Sequence, residues 1–219
     1  MSVRTKFHAE LKELKDMTLE LGRLAQEAVS QSIEALRAQN VDLALKVIED
    51  DTQLNLLEEE INEKAILLIA KQAPVASDLR RIIVSLKASS DLERIGDLAV
   101  NIAKSVIRIG DKPFVKPIEE IPRVAELANQ MVADVLKAYS DEDVTSARRV
   151  AEIDDEVDET YGKLIRELLA LMTEKPDYIA KITQLSFVCR FVELVADHAT
   201  NISESVIYLV KGTRYDLNE

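Results

Sequence analysis

The chain has 219 residues, enough for one large domain or two small ones, and 47% of them are apolar, which allows a substantial core. Five Gly, five Pro and 4% aromatics, set against abundant Ala, Leu, Glu, Lys, Val and Ile, favour helices and argue against a β-sandwich. A net charge of −12 argues against nucleic acid and anionic lipid as partners and favours metal cations or basic protein surfaces.

From the N-terminus, residues 1–10 are charged and lack the apolar stretch of a secretory signal. The apolar spacing predicts helices over 3–39, 42–72 and 75–109, joined by a polar step at Asn40 and Asp42 and by Pro74. A Gly and two Pro within 110–117 predict a linker. Three further helices follow over 118–139, 142–172 and 177–211, with Ser140, Asp141 and Asp143 at one joint and Pro176 at the other. Short joints force neighbouring helices antiparallel. No run reaches the roughly 18 apolar residues of a membrane span. A single cysteine, Cys189, rules out an internal disulfide and fits a reducing compartment. The expectation is a soluble, cytoplasmic protein.

The chain repeats itself. Residues 91–107 lie over 191–207 at a constant offset of 100, so that Glu93 falls on Glu193, Asp97 on Asp197 and Asn101 on Asn201. Ala99, Ile102, Ser105, Val106 and Ile107 also meet identical residues. Upstream the offset becomes 103: Val47, Glu49, Asp51, Leu54 and Asn55 fall on Val150, Glu152, Asp154, Val157 and Asp158, and Leu24, Ala25 and Val29 on Leu127, Ala128 and Val132. A period this long marks a duplicated unit and not a short solenoid repeat. The expected fold is all-α: six long helices forming two tandem three-helix bundles, over 1–110 and 117–219, related by internal duplication. Leu92, Ile95, Ala99, Ile102, Val106 and Ile109 form the core stripe of the third helix, and Val188, Val192, Val195, Ala199, Ile202, Val206 and Leu209 that of the sixth.

Glu93, Asp97 and Asn101 stand at i, i+4, i+8 and share one helix face about 80° wide. That face is expected opposite the core stripe. Glu193, Asp197 and Asn201 repeat the pattern. Carboxylates one turn apart repel each other unless a cation joins them, and oxygen donors of this kind suit Mg²⁺, Mn²⁺, Fe or Zn²⁺. Asp51 and Asp154 each interrupt an apolar row, Val47, Leu54, Ile61, Leu68 in one copy and Val150, Val157, Tyr161, Leu164 in the other. A carboxylate there needs a partner. Asn55 and Asp158 follow one turn later and face the same way. An exposed Glu-x-x-x-Asp is ordinarily a solvated face. Here most exposed positions differ between the copies while the acid–acid–amide trio is identical, which favours metal.

At these residues the chain resembles the PhoU family. Residues 92–103, Asp197 to Ile202, and the entry into the third helix from Gln72 to Arg80 carry the resemblance, which spans the whole chain with its duplication. The resemblance implies metal ligands at Glu93 and Asp97 and at Glu193 and Asp197, with Asn101, Asn201, Asp51, Asn55, Asp154 and Asp158 as further candidates, and multinuclear clusters as in some members. It implies a negative regulator of phosphate uptake and of the phosphate-starvation response. Such a protein is an adaptor between the ATPase subunit of a phosphate ABC transporter and a phosphate-sensing histidine kinase. It meets the membrane only through those partners, and a homodimer is expected. The second copy departs from the motif, with Leu194, Val195 and Ala196 in place of Arg94, Ile95 and Gly96.

The remaining residues read more simply. His198 is expected to pack or hydrogen-bond, Cys189 to be a buried thiol, and Arg80 and Arg81 to lie on the surface. Gly96 in mid-helix suggests close backbone approach. The alternative function is a carboxylate-bridged helical protein with a storage or redox role. That class uses Glu-x-x-His, which the chain lacks. No catalytic triad or Gly-rich phosphate loop is present, so no enzyme is expected.

Overall fold

The computed structural model describes residues 3–111, 113–114 and 118–217. The expected linker at 110–117 lies partly outside them. Six long helices run in the expected order: α1 (Val3–Ala38), α2 (Val41–Gln72), α3 (Ala76–Ile109), α4 (Glu120–Asp141), α5 (Val144–Glu174) and α6 (Ile179–Lys211). A 3₁₀ turn, Pro176–Tyr178, precedes α6, because Pro176 has no N–H for a preceding helical turn and its fixed φ suits a helix start. There is no strand among the described residues.

The first hairpin of each copy is built alike. Gln39 and Glu142, equivalent at the offset of 103, both end a helix in the left-handed conformation, with φ 48° and 53°. The next residue then caps the following helix. Asn40 Oδ1 accepts from the Leu43 N–H at 3.0 Å, and Asp143 Oδ1 accepts from the Thr145 N–H at 2.9 Å.

α1, α2 and α3 pack on one another, as do α4, α5 and α6, and the two bundles join through α3 against α6 and α1 against α4. Arg80 donates to the Leu209 carbonyl and His198 meets Asp91, so α3 and α6 run antiparallel. Gln26 and Asn129, themselves equivalent, bond reciprocally: Gln26 Nε2 donates to the Asn129 carbonyl and Asn129 Nδ2 to the Gln26 carbonyl. A pseudo-twofold axis therefore passes between them. One apolar cluster runs from Phe7 to Ile202 through both copies, so the bundles share a core.

Every residue of the two expected core stripes is buried. The buried part of α3 is wider than that stripe. Ser85, Gly96, Leu98, Val100, Ala103 and Ser105 are buried too, because α3 and α6 are the central helices and are packed by three neighbours each, while Ser90, Arg94, Lys104 and Arg108 on the opposite side stay exposed. Arg80 and Arg81 stay partly exposed, Arg81 at 42%, but each also has a partner in the other copy. Arg80 reaches the end of α6, and Arg81 forks onto Glu142 at 2.9 and 3.2 Å, so both tie the copies together.

Candidate metal centres

The repeated acids lie in two seams, one between α2 and α3 and the other between α5 and α6. In the first seam Glu93 and Asp97 are half-buried, with side chains 24% and 40% exposed. Asp51 on α2 faces them. Burial raises the Asp51 carboxyl above its usual range, a hydrogen bond from Asn55 at 3.1 Å opposes the rise, and Asp97 adds to it. Burial also raises Glu93, with Asp97, Glu58 and Asp51 adding repulsion and Arg94 offsetting part of it. Arg94 holds Asp97 at 2.8 Å and stands 3.6 Å from Glu93.

The second seam is drier. Asp154 and Glu193 are each 8% exposed. Burial pushes Glu193 up to about 7, with Asp197, Asp158 and Asp154 adding to it and Arg190 opposing. Burial pushes Asp154 up to about 6, against a hydrogen bond from Thr200 at 3.1 Å and with Asp197, Asp158 and Asp155 adding to it. Asp197 is raised by burial and by Asp158. One oxygen of each buried carboxylate, Asp154 Oδ1 and Glu193 Oε2, has no hydrogen-bond partner. A buried carboxylate oxygen left bare is costly, and a cation or a proton relieves it.

Gly96 lets the first seam close. A Cβ there would stand 2.6 Å from Leu54 Cδ2 and 3.5 Å from Asp51 Oδ1. The second copy reaches the same end differently: Ala196 carries the methyl, and Val157 stands where Leu54 would be, one carbon shorter.

All four motif acids and both row acids, Asp51 and Asp154, therefore meet in pairs of helices. The amides do not converge in the same way. Asn101 is half-buried one turn beyond Asp97, Asn55 is spent on Asp51, and Asn201 Nδ2 points to Asp91 Oδ1 at 3.4 Å. Asp158 is exposed at the rim of its seam. Among the described residues no three acid, His or Cys side chains already converge as a ligand set. Several contributors escaped the sequence reading, among them Thr200 on Asp154 and Lys104 on Asp51. Glu58 stands seven residues after Asp51, hence on its face, which was a usable signal. Arg190 sits three before Glu193 and replaces the charge lost at Leu194. Asp91 joins His198 at 2.9 Å across the copies, and nothing in the sequence pattern marks that pair, since its equivalent is Phe191.

The PhoU domain matches this chain twice, over residues 18–106 and 121–206. The chain belongs to the PhoU family. Its relatives match over nearly their full length. It is 40% identical to the phosphate-specific transport system accessory protein PhoU homolog of Rhizobium meliloti over 213 residues, covering 97% of this chain and 90% of that one. It is 42% identical to the homolog of Aquifex aeolicus, covering 94% of each. The crystal structure of PhoU from Pseudomonas aeruginosa superposes with a TM-score of 0.90 at 37% identity, covering 94% of this chain and all of that one. The phosphate transport system regulatory protein PhoU from Streptococcus pneumoniae also gives 0.90, at 31% identity, covering 96% and 99%. The tandem PhoU architecture is thus the one the duplication predicts. No helix among the described residues is long and apolar enough to cross a membrane.

Proposed function

We propose that this chain regulates phosphate transport as a metal-dependent adaptor. The observation that carries the metal reading is the pair of buried carboxylates, Asp154 and Glu193, each with a bare oxygen and facing a third acid, Asp197. Glu93, Asp97 and Asp51 would hold a cation in the first seam, and Glu193, Asp197, Asp154 and Asp158 in the second. Fe, Zn²⁺, Mn²⁺ and Mg²⁺ all suit such oxygen donors. A bound cation would supply positive charge on an acidic surface. The protein's part is to gather the carboxylates, which burial makes costly to ionise without a cation, and to keep Arg94 and Arg190 at the rim.

The regulatory reading rests on family membership over the whole chain and on relatives named as accessory proteins of the phosphate-specific transport system. Its finer terms are restraint of uptake and of the starvation response, contact with the transporter ATPase and a sensor kinase, a cytoplasmic location and a homodimer. Leu45, Leu56 and Leu67 are exposed along one line of α2, which supports a surface for a second protein. The reading assigns no catalytic step to the chain.

Elemental analysis of the purified protein, beside an Asp97→Ala/Asp197→Ala variant, tests the metal reading. Bound metal in the wild type, lost in the variant with helicity intact, supports it. No metal after reconstitution with Fe, Zn²⁺, Mn²⁺ and Mg²⁺ would reduce the repeated acids to a polar seam.

A further inference from the structure

A cavity of about 330 Å³ opens where α1, the start of α3, the end of α4 and the end of α6 meet. It is remote from the carboxylate seams: Ser85 precedes Glu93 by eight residues, or about 12 Å along α3. Its walls carry three cationic side chains, Lys12, Lys15 and Arg81, against two carboxylates, Asp78 and Glu142. Outside the cavity Lys12 pairs with Asp16 at 2.6 Å, and Lys15 donates to the Ser140 carbonyl at 2.5 Å, so in a protein of net charge −12 the lining itself holds one more cation than carboxylates. Leu11, Leu14 and Leu209 supply an apolar wall.

The hydroxyls of Ser85 and Tyr139 line the cavity, 2.7 Å apart and buried, with the buried Thr18 hydroxyl bonded beside them. The duplication provides a control for these three residues. Thr18, Ser85 and Tyr139 are equivalent to Ile121, Leu185 and Leu36, all buried and all apolar. The fold therefore fills this layer with hydrocarbon where nothing else is asked of it. A buried hydrogen-bonded group adds little over an apolar residue of similar shape, so packing does not explain the three hydroxyls.

We infer that this cavity binds a small organic phosphoryl ester. Arg81 and the two lysines would take the phosphoryl oxygens, Ser85 and Tyr139 a polar edge, and the leucines the organic body. The donors outnumber what one carboxylate accepts, which favours the three oxygens of a phosphoryl group. The volume lies at the low end of small-molecule sites and leaves room for more than an inorganic ion. Arg81 is shared with Glu142 and Asp78 in the structure, so a ligand enters by adding to that network while Lys12, on its flexible and 75% exposed stem, swings in.

Calorimetric titration of the full chain with phenyl phosphate, inorganic phosphate and benzoate tests the inference. A chelator is present throughout, so that metal in the carboxylate seams cannot hold the phosphoryl group. Phenyl phosphate is expected to bind one per chain, at least tenfold tighter than either of the others. Lys12→Gln/Lys15→Gln should weaken it tenfold or more. Thr18→Ile/Ser85→Leu/Tyr139→Leu, which copies the second half, should abolish binding and keep the helicity. The lysine variant alone decides the matter where the triple variant does not fold. Absence of phenyl phosphate binding, equal binding of inorganic phosphate or benzoate, or unchanged affinity in the lysine variant would overturn the inference.

Discussion

Glu193→Gln keeps the shape of the side chain and removes its charge, and in the metal-free protein it should stabilise the fold. The Glu193 carboxyl ionises near 4.5 in an unfolded chain and near about 7 in the folded one. Between those values the folded chain keeps a proton that the unfolded chain has released. Stability therefore falls as pH rises through that window and levels off above it. Asp154 acts in the same direction between 3.8 and about 6. At 1.36 kcal/mol per unit, the cost of ionising Glu193 in its seam approaches about 3 kcal/mol, with the opposing Arg190 already included. Water drawn to the new charge and the coupling to Asp197 reduce it, so about 1–2 kcal/mol is expected near pH 8 and almost nothing near pH 4.5. Urea titrations followed by circular dichroism, with a chelator present, measure both. Adding metal should reverse the order, since the wild type gains about 2.7 kcal/mol at a hundredfold excess over Kd and the variant less. A Glu193→Gln protein that is less stable than wild type at pH 8 without metal, by the same amount at pH 4.5, would refute the reasoning. The ion pair with Arg190 would then be what Glu193 is for.

Gly96→Ala should cost about 1–3 kcal/mol, because its methyl would stand 2.6 Å from Leu54 Cδ2, and Leu54→Val should restore much of that by reproducing the Ala196 and Val157 pairing; thermal unfolding of both proteins checks it. Asp143→Ala removes the side-chain cap of α5 and should lower the urea midpoint, whereas Asp143→Asn, which still caps, should lower it much less. Asp91→Ala breaks the contacts to His198 and Asn201 that bridge the copies and should cost about 1–2 kcal/mol; His198→Ala should cost clearly less in that background than in the wild type.

Much of the fold was readable because its signals are local. Apolar spacing, Asn40 and Asp143 as caps, and Pro74 and Pro176 as breaks place six helices within two residues or so of where they lie, and the repeat fixes the two bundles. The site was readable only in part. Asp51 and Asp154 stand out because a carboxylate in an apolar row is anomalous. The burial of the motif acids was not readable, since it depends on α3 and α6 becoming the central helices, and a helical wheel shows one helix without its neighbours. For the same reason the tie made by Arg81 was not readable. Its partner Glu142 lies 61 positions away, and only the tertiary fold brings it near.

The two copies also act as a control on each other, which separates what the fold requires from what a site requires. Leu54 with Gly96 and Val157 with Ala196 keep the same total of side-chain carbon in each seam, so the spacing of the paired helices is constrained although neither residue is. The charges behave in the same way. Arg94 guards the first pair of acids from one residue after Glu93, and Arg190 guards the second from three residues before Glu193, so an arginine beside the glutamate is kept while its position is not. The acids themselves are identical in kind and place, and burial in the second seam makes Asp154 and Glu193 harder to ionise and leaves Asp154 Oδ1 and Glu193 Oε2 bare. A fold free to substitute around them has left the costly element alone. That is the pattern expected when the carboxylates are held for a cation and not for the stability of the metal-free bundle.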